Sequence, residues 1–324
     1  MKQILFLKPI LKESIWGGTR LAEFGYDLPS DHVGECWGIS AHPNGCSSVV
    51  GGAYDGRRLD DLWREESALF GRSSSADERP DNWEAEMTMR YGFPLLIKLI
   101  DAQDDLSIQV HPDDAYALAN ENGALGKTEC WYVLKAEEGA EIVIGHHAKT
   151  KDELERMVRE GRMRELIREI PVKAGDFFQI EPGTIHAIKK GTMLLETQEN
   201  SDITYRLYDY DRLQNGKKRP LHIEQSLAVI KVPYVDNPAE PQVKKVPGAV
   251  ITRFVTCTFY TVYLTEIDGT AKIPLSGMFH TMSVIEGEGF LDGSKVRKGD
   301  HLILSAGYGE ACAVGHFTAV VTRV

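Results

Sequence analysis

The stretch SIQVHPD, from Ser107 to Asp113, sets Gln109 and His111 two residues apart in an apolar, strand-like run. Side chains i and i+2 of a β-strand leave on the same face. A neutral oxygen and a nitrogen donor therefore project together from a rigid element, a pair that suits zinc or a similar divalent ion. Two more donors stand at the ends of later strand-like runs. Glu129 lies in GKTECWYVL, where a buried carboxylate is costly unless paired or metal-bound. His186 lies in EPGTIHAI, just past the Pro182-Gly183 turn and at the mouth of the next strand. Gln109, His111, Glu129 and His186 together make a mixed N/O site with room for water or substrate, as catalytic zinc sites have. Taken singly, each His reads more readily as a hydrogen-bonded core residue; the grouping carries the argument.

Outward from this segment the pattern is mainly β. The N-terminal ILFL reads as a first strand, because Lys8, Pro9 and Lys12 interrupt any signal-peptide pattern. Residues 59–70 and 81–90 read as helices, Phe93–Ala102 and Leu106–Val110 as buried strands, and Asp113–Asn120 as a short helix. Cys130–Lys135 reads as a strand. Residues 150–170 read as a helix, opened by the Thr150/Glu153 capping box and interrupted by Gly161. The strands DFFQI, MLLETQ and ITYRLYDY follow. Residues 233–248 are rich in Pro and charge and read as a linker. The chain thus divides into 1–235 and 245–324, the latter a run of short strands with Gly turns, as in a small barrel or sandwich. A faint internal echo joins the parts: Gly175-Asp176 matches Gly299-Asp300, Gly183 matches Gly307, His186 falls on Glu310, and VLKAEEG resembles VIEGEG.

A chain of 324 residues exceeds one typical core. With 42% hydrophobic and 26% charged residues it is ordinary for a soluble globular protein. Its formal charge of −11 disfavours nucleic acid and anionic lipid as partners, and no apolar run is long enough to span a membrane. Five scattered cysteines without a CxxC fit a reducing cytoplasm and exclude a cysteine zinc site.

A second cluster, ETQENSDITYRLYDYDR, contains Glu196, Arg206 and Arg212. Arg206 reads either as a surface charge or as an inward anion clamp. Lys98 interrupts the apolar run PLLIKLIDA, where a snorkelling Lys at a rim is the plain reading. Lys127, two residues before Glu129, reaches toward the same pocket.

Four segments, PLLIKLIDAQDDLSIQVHPDD, NGALGKTECWYVL, EPGTIHAI and LETQENSDITYRLYDYDR, carry a resemblance. They resemble type I mannose-6-phosphate isomerase (phosphomannose isomerase) in its short bacterial form, with weaker matches in SIWGGTRL and GECWGISAHP. The resemblance implies two cupin-type, jelly-roll-like β-barrels with a helical insertion in the first. Residues 1–235 would be the catalytic zinc-binding domain, and 245–324 a cupin-like β-domain without metal ligands. It implies one zinc per chain on Gln109, His111, Glu129 and His186, and an active-site arginine at Arg206. It places Lys98, Ser107, Lys127, Glu196 and Arg212 in the substrate pocket, and Trp16 and Glu35 more loosely on its rim. The spacing of 18 residues from His111 to Glu129, and Gln-x-His in place of His-x-His, speak against oxygenase-type cupins. The implied reaction interconverts mannose 6-phosphate and fructose 6-phosphate through a cis-enediol, with zinc and Arg206 stabilising charge. An isomerase for another sugar phosphate and a sugar-phosphate-binding cupin without turnover are the competing readings. Glu196 and Lys127 are candidate bases, and a metal ligand that moves is a third. Oligomeric state is unreadable.

Overall fold

The computed structural model describes residues 2–72 and 92–324. The helix expected over 81–90 lies outside them. Three large antiparallel sheets, arranged as layers, organise the described residues. The central layer has the strand order Phe177–Ile180, Glu129–Ala136, Thr192–Glu199, Leu95–Asp101, Val33–His42 and Ile10–Gly18, with Gly45–Cys46 paired off the path. Its middle strands Thr192–Glu199 and Leu95–Asp101 are buried on both faces, which accounts for the unbroken apolar run around Lys98. Leu95, Ile97 and Leu99 enter the core shared with the C-terminal strands. Lys98 and Ile100 turn the other way, and Ile100 packs with Ile142, Ile144 and Ile188 of the second sheet. Lys98 is therefore buried at 5% exposure and does not snorkel to a rim.

That second sheet runs Ile167–Pro171, Glu141–His146, His186–Ile188, Ile108–Val110 and Tyr205–Tyr208. Ile108, Val110, Ala187, Tyr205 and Leu207 face outward. Helices Lys151–Arg159 and Ile223–Val229 cover them with Leu154, Met157 and Leu227. Gln109, His186 and Arg206 alternate with those residues and so face the central sheet. Thr150 caps its helix by accepting the Glu153 N–H, as the capping box predicts.

The C-terminal layer is a nine-stranded sheet, and it departs from expectation in several ways. Its strands Thr261–Leu275, His280–Leu291 and Gly309–Arg323 are long, not short. Gly277, Gly293, Gly299 and Gly307 do occupy turns, but other glycines lie inside the strands: Gly289 pairs with Gly315, where a Cβ on Gly289 would stand 2.4 Å from the Val314 carbonyl oxygen. The supposed linker contains the edge strand Gln242–Val246, whose exposed Lys244 and Lys245 hid it from a search for apolar alternation. Ile4–Lys8 and Ser48–Val50 also join this sheet, through pairs such as Ile4 with Leu304, so the N-terminus crosses the expected division at 235–245. None of the large sheets closes into a barrel; each is an open path with two edges.

The stretch 150–170 is also not one helix. After Gly161, Met163–Leu166 forms a single turn and Ile167–Pro171 becomes a strand, because Ile167 pairs with His146. Leu106–Val110 narrows to Ile108–Val110, and 59–70 breaks at Glu66 into two helices. The internal echo is structural. Gly175 and Gly299, at φ 92° and 93°, donate to the Val133 and Val284 carbonyls, and Asp176 and Asp300 each accept from the backbone three residues earlier.

Candidate metal centre

Two cross-strand rows face each other between the first two sheets. On the central sheet, Lys98 lies directly opposite Glu196, and Glu196 opposite Trp131. On the second sheet, Arg206 lies opposite Gln109, and Gln109 opposite His186. Directly opposed residues share a face, so the two registers alone collect six inward side chains. Glu129 begins the Trp131 strand, two residues before it on the same face. His111 follows Gln109 at the same spacing, held by the turn that enters helix Asp114–Asn120.

His111, Glu129 and His186 form a compact triad with ligand atoms within 4.8 Å of one another. The His111 Nδ1–H donates to the Ile203 carbonyl at 2.7 Å, and the His186 Nδ1–H to the Thr184 carbonyl at 2.9 Å. Each backbone acceptor fixes the tautomer, so both Nε2 atoms carry lone pairs. These atoms stand 3.1 Å apart. His186 Nε2 is 3.3 Å from Glu129 Oε1, and His111 Nε2 is 3.6 Å from Oε2. Burial, then the charge of Lys127, pushes the His111 pKa well down; burial brings that of His186 to about 4. Burial and the charge of Glu196 raise Glu129 to about 7. Neutral imidazoles and a fully buried carboxylate converging on one point form a donor set that a divalent cation fits. Glu129 Oε1 has no hydrogen-bond donor among the described residues.

The surrounding groups are charged and enclosed. Lys127 Nζ sits 2.6 Å from Glu129 Oε2 and 3.7 Å from Glu196 Oε1. Lys98 Nζ meets Glu196 Oε1 at 3.0 Å. Burial alone would raise the Glu196 pKa, but Lys127, Lys98 and the Trp131 N–H together hold it at about 2. Arg206 is half-buried, and its Nε has no hydrogen-bond partner among the described residues.

Residues 4–135 match the family model for phosphomannose isomerase type I, catalytic domain, and residues 250–324 that for mannose-6-phosphate isomerase, cupin domain. The mannose-6-phosphate isomerase ManA of Bacillus subtilis is 45% identical over 325 aligned residues, 99% of this chain and 98% of its own. The chain belongs to the type I phosphomannose isomerase family. A Streptococcus mutans mannose-6-phosphate isomerase is 49% identical over 94% of this chain and 93% of its own. The crystal structure of a mannose 6-phosphate isomerase from Bacillus subtilis matches with a TM-score of 0.91 at 44% identity, over 99% of both chains. A zinc-bound mannose 6-phosphate isomerase shares the fold at 17% identity, with a TM-score of 0.76 over 99% of both chains. The open sheets are thus cupin-like.

Gln109 places its amide nitrogen 3.3 Å from His186 Nε2, while its oxygen accepts from Ser107 Oγ at 3.3 Å. A half-turn of the amide exchanges the two ends. Glu35 accepts the Trp37 indole N–H at 2.5 Å and adds its charge near Lys98. Trp16 is not on a rim: it is 6% exposed and packs in the apolar cluster between the two sheets, its ring lying over Gly34. Arg212 is engaged by Asp209 at 2.7 Å, by Asp104 and by the Asp105 carbonyl. Two residues escaped the sequence reading. Arg219 shares Asp209 with Arg212 and lies close enough to lower the pKa of Arg206, second to burial. Trp131 could have been found by applying the i, i+2 rule to Glu129 as it was applied to Gln109.

Proposed function

We propose that this chain is a zinc-dependent mannose-6-phosphate isomerase holding one zinc per chain on His111, Glu129 and His186, with the Gln109 amide oxygen as a further ligand. The observation that carries the reading is the convergence of two lone-pair Nε2 atoms and a buried carboxylate beside the Lys98–Glu196–Lys127 network. When bound, zinc supplies Lewis acidity for the carbonyl and hydroxyl oxygens at C1 and C2. The chain supplies the rest. Arg206 sets a fixed positive charge where the enediolate develops. Glu196, held ionised, accepts hydrogen bonds from sugar hydroxyls, and Lys127 donates from between the two glutamates. Proton transfer between C2 and C1 falls to Glu196 or Lys127. Arg212 and Arg219, which share Asp209, hold the phosphate, and that remote grip orients the sugar. Five unpaired cysteines agree with a cytoplasmic setting.

A coupled assay following fructose 6-phosphate from mannose 6-phosphate tests the reading. Activity should vanish with a strong chelator and return with added zinc, and metal analysis should give about one zinc per chain. Metal-replete protein that binds the sugar phosphate without turning it over would contradict it.

A further inference from the structure

The sheet register shows an arrangement that runs past the metal centre. Trp37, Lys98, Glu196, Trp131 and Phe178 lie directly opposite one another on five adjacent strands. Within this row an anion stands between a cation and an indole. Lys98 Nζ lies over the Trp37 ring at 5.4 Å and bonds Glu196 Oε1 at 3.0 Å. The Trp131 indole N–H donates to the other oxygen, Oε2, at 3.1 Å. Trp131 is 1% exposed, and its ring meets that of His186 edge-on at 5.6 Å.

A glutamate's terminal torsion is broad, so its carboxylate plane is free to turn unless something selects an orientation. The two lysines both sit on Oε1, but their ammonium groups ride on flexible stems that follow the oxygen when the plane turns. An indole nitrogen is a donor only and cannot exchange roles with its partner. A phenylalanine keeps an aromatic ring against His186 but lacks the N–H along with the second ring of the indole.

We propose that Trp131 is a positioning residue whose indole N–H sets the plane of the Glu196 carboxylate and, through it, the placement of Lys98 and Lys127 beside the reacting sugar. This rests on the isomerase reading above. Trp131→Phe keeps an aromatic ring and removes the donor. Its kcat should fall about tenfold, the worth of one charge-assisted hydrogen bond, with KM within about twofold, with bound zinc kept and the protein folded at the assay temperature, although the thermal midpoint drops for the smaller side chain. Unchanged kcat, or a fall matched by lost zinc or lost folded protein, overturns the proposal. A second readout does not use activity. The ¹H–¹⁵N indole resonance of Trp131, assigned by its through-space contacts to the His186 ring, should shift in Glu196→Gln. An indole spectrum indifferent to that substitution also overturns the proposal. The Glu196→Gln spectrum leaves Trp131 in place, so it decides the matter even where Trp131→Phe does not fold. If the wild type does not isomerise mannose 6-phosphate, the functional reading fails by itself and the indole shift still decides this one.

Discussion

Arg206 shows how strand alternation turns an ambiguous residue into a committed one. Its neighbours Tyr205 and Leu207 are buried in the outer core under the helices, which forces Arg206 to the inner face. The backbone on either side is fixed: Arg206 N–H donates to His222 Nδ1 at 3.1 Å, and its carbonyl accepts the His222 N–H at 2.8 Å. An uncommitted Nε on a half-buried guanidinium is available to a ligand. Arg206→Ala removes a charge already in place before the reaction, so kcat should drop by roughly 10²–10³-fold, the range for losing one preorganised stabiliser. Steady-state kinetics on folded, zinc-loaded variant are the check, and near-normal turnover would remove Arg206 from the mechanism. The zinc content should be unchanged, because Arg206 touches none of the triad.

At the scale of an element, the segment Gly126–Thr128 carries Lys127 and leads into Glu129, so its position sets the centre. Two buried carboxyl groups hold it. Asp114 Oδ1 accepts the Gly126 N–H at 2.7 Å, and Glu199 Oε1 accepts the Thr128 N–H at 2.6 Å. The Glu199 carboxyl also meets that of Asp114, and two buried carboxyls in contact favour holding a proton over carrying two charges. Burial, then the charge of Asp114, raises the Glu199 pKa from 4.5 to about 8. A carboxyl whose folded pKa is raised contributes stability that is complete below its unfolded pKa and is lost as pH rises through the folded one. The unfolding midpoint should therefore fall by several degrees between about pH 4.5 and 8 and level off above it. Glu199→Gln, which keeps an acceptor for Thr128 and a donor for Asp114, should flatten that decline; parallel curves for both proteins would count against the shared proton. Neither this clamp nor the Lys98–Glu196–Trp131 row was visible in the sequence, because register between strands distant in the chain leaves no local trace. What was legible was local: the Gln109/His111 spacing, the Thr150 cap, and carboxylate and imidazole donors at strand ends. Ile167 and Ile170 misled for the same reason, since their spacing suits a helix and only pairing with strand Glu141–His146 made them a strand.

At the scale of the whole molecule, His301 ties the C-terminal sheet to the central one. Tyr26 has one hydroxyl hydrogen, which it gives to the Gly299 carbonyl at 2.7 Å. Its oxygen therefore accepts from His301 Nε2–H at 2.9 Å, and Nδ1 accepts from Ser283 Oγ–H at 2.8 Å. The ring presses on the backbone of the central sheet: a Cβ on Gly38 would stand 2.3 Å from His301 Cε1. Gly38→Ala should thus cost about 1–3 kcal/mol or more by overpacking, as read by urea unfolding. The imidazole is fully satisfied when neutral, and burial lowers its pKa from 6.5 to about 4. A depressed folded pKa contributes stability that is present above the unfolded value and lost as pH falls through the folded one. Between pH 6.5 and 4 the wild type should lose on the order of 3 kcal/mol through this group alone. His301→Gln, which cannot be protonated in that range, should start less stable at pH 7 and lose less on acidification. Urea unfolding at several pH values measures both slopes. Equal slopes would place acid sensitivity elsewhere, whereas a shallower slope in the variant makes the join between the sheets the point at which acid opens the molecule.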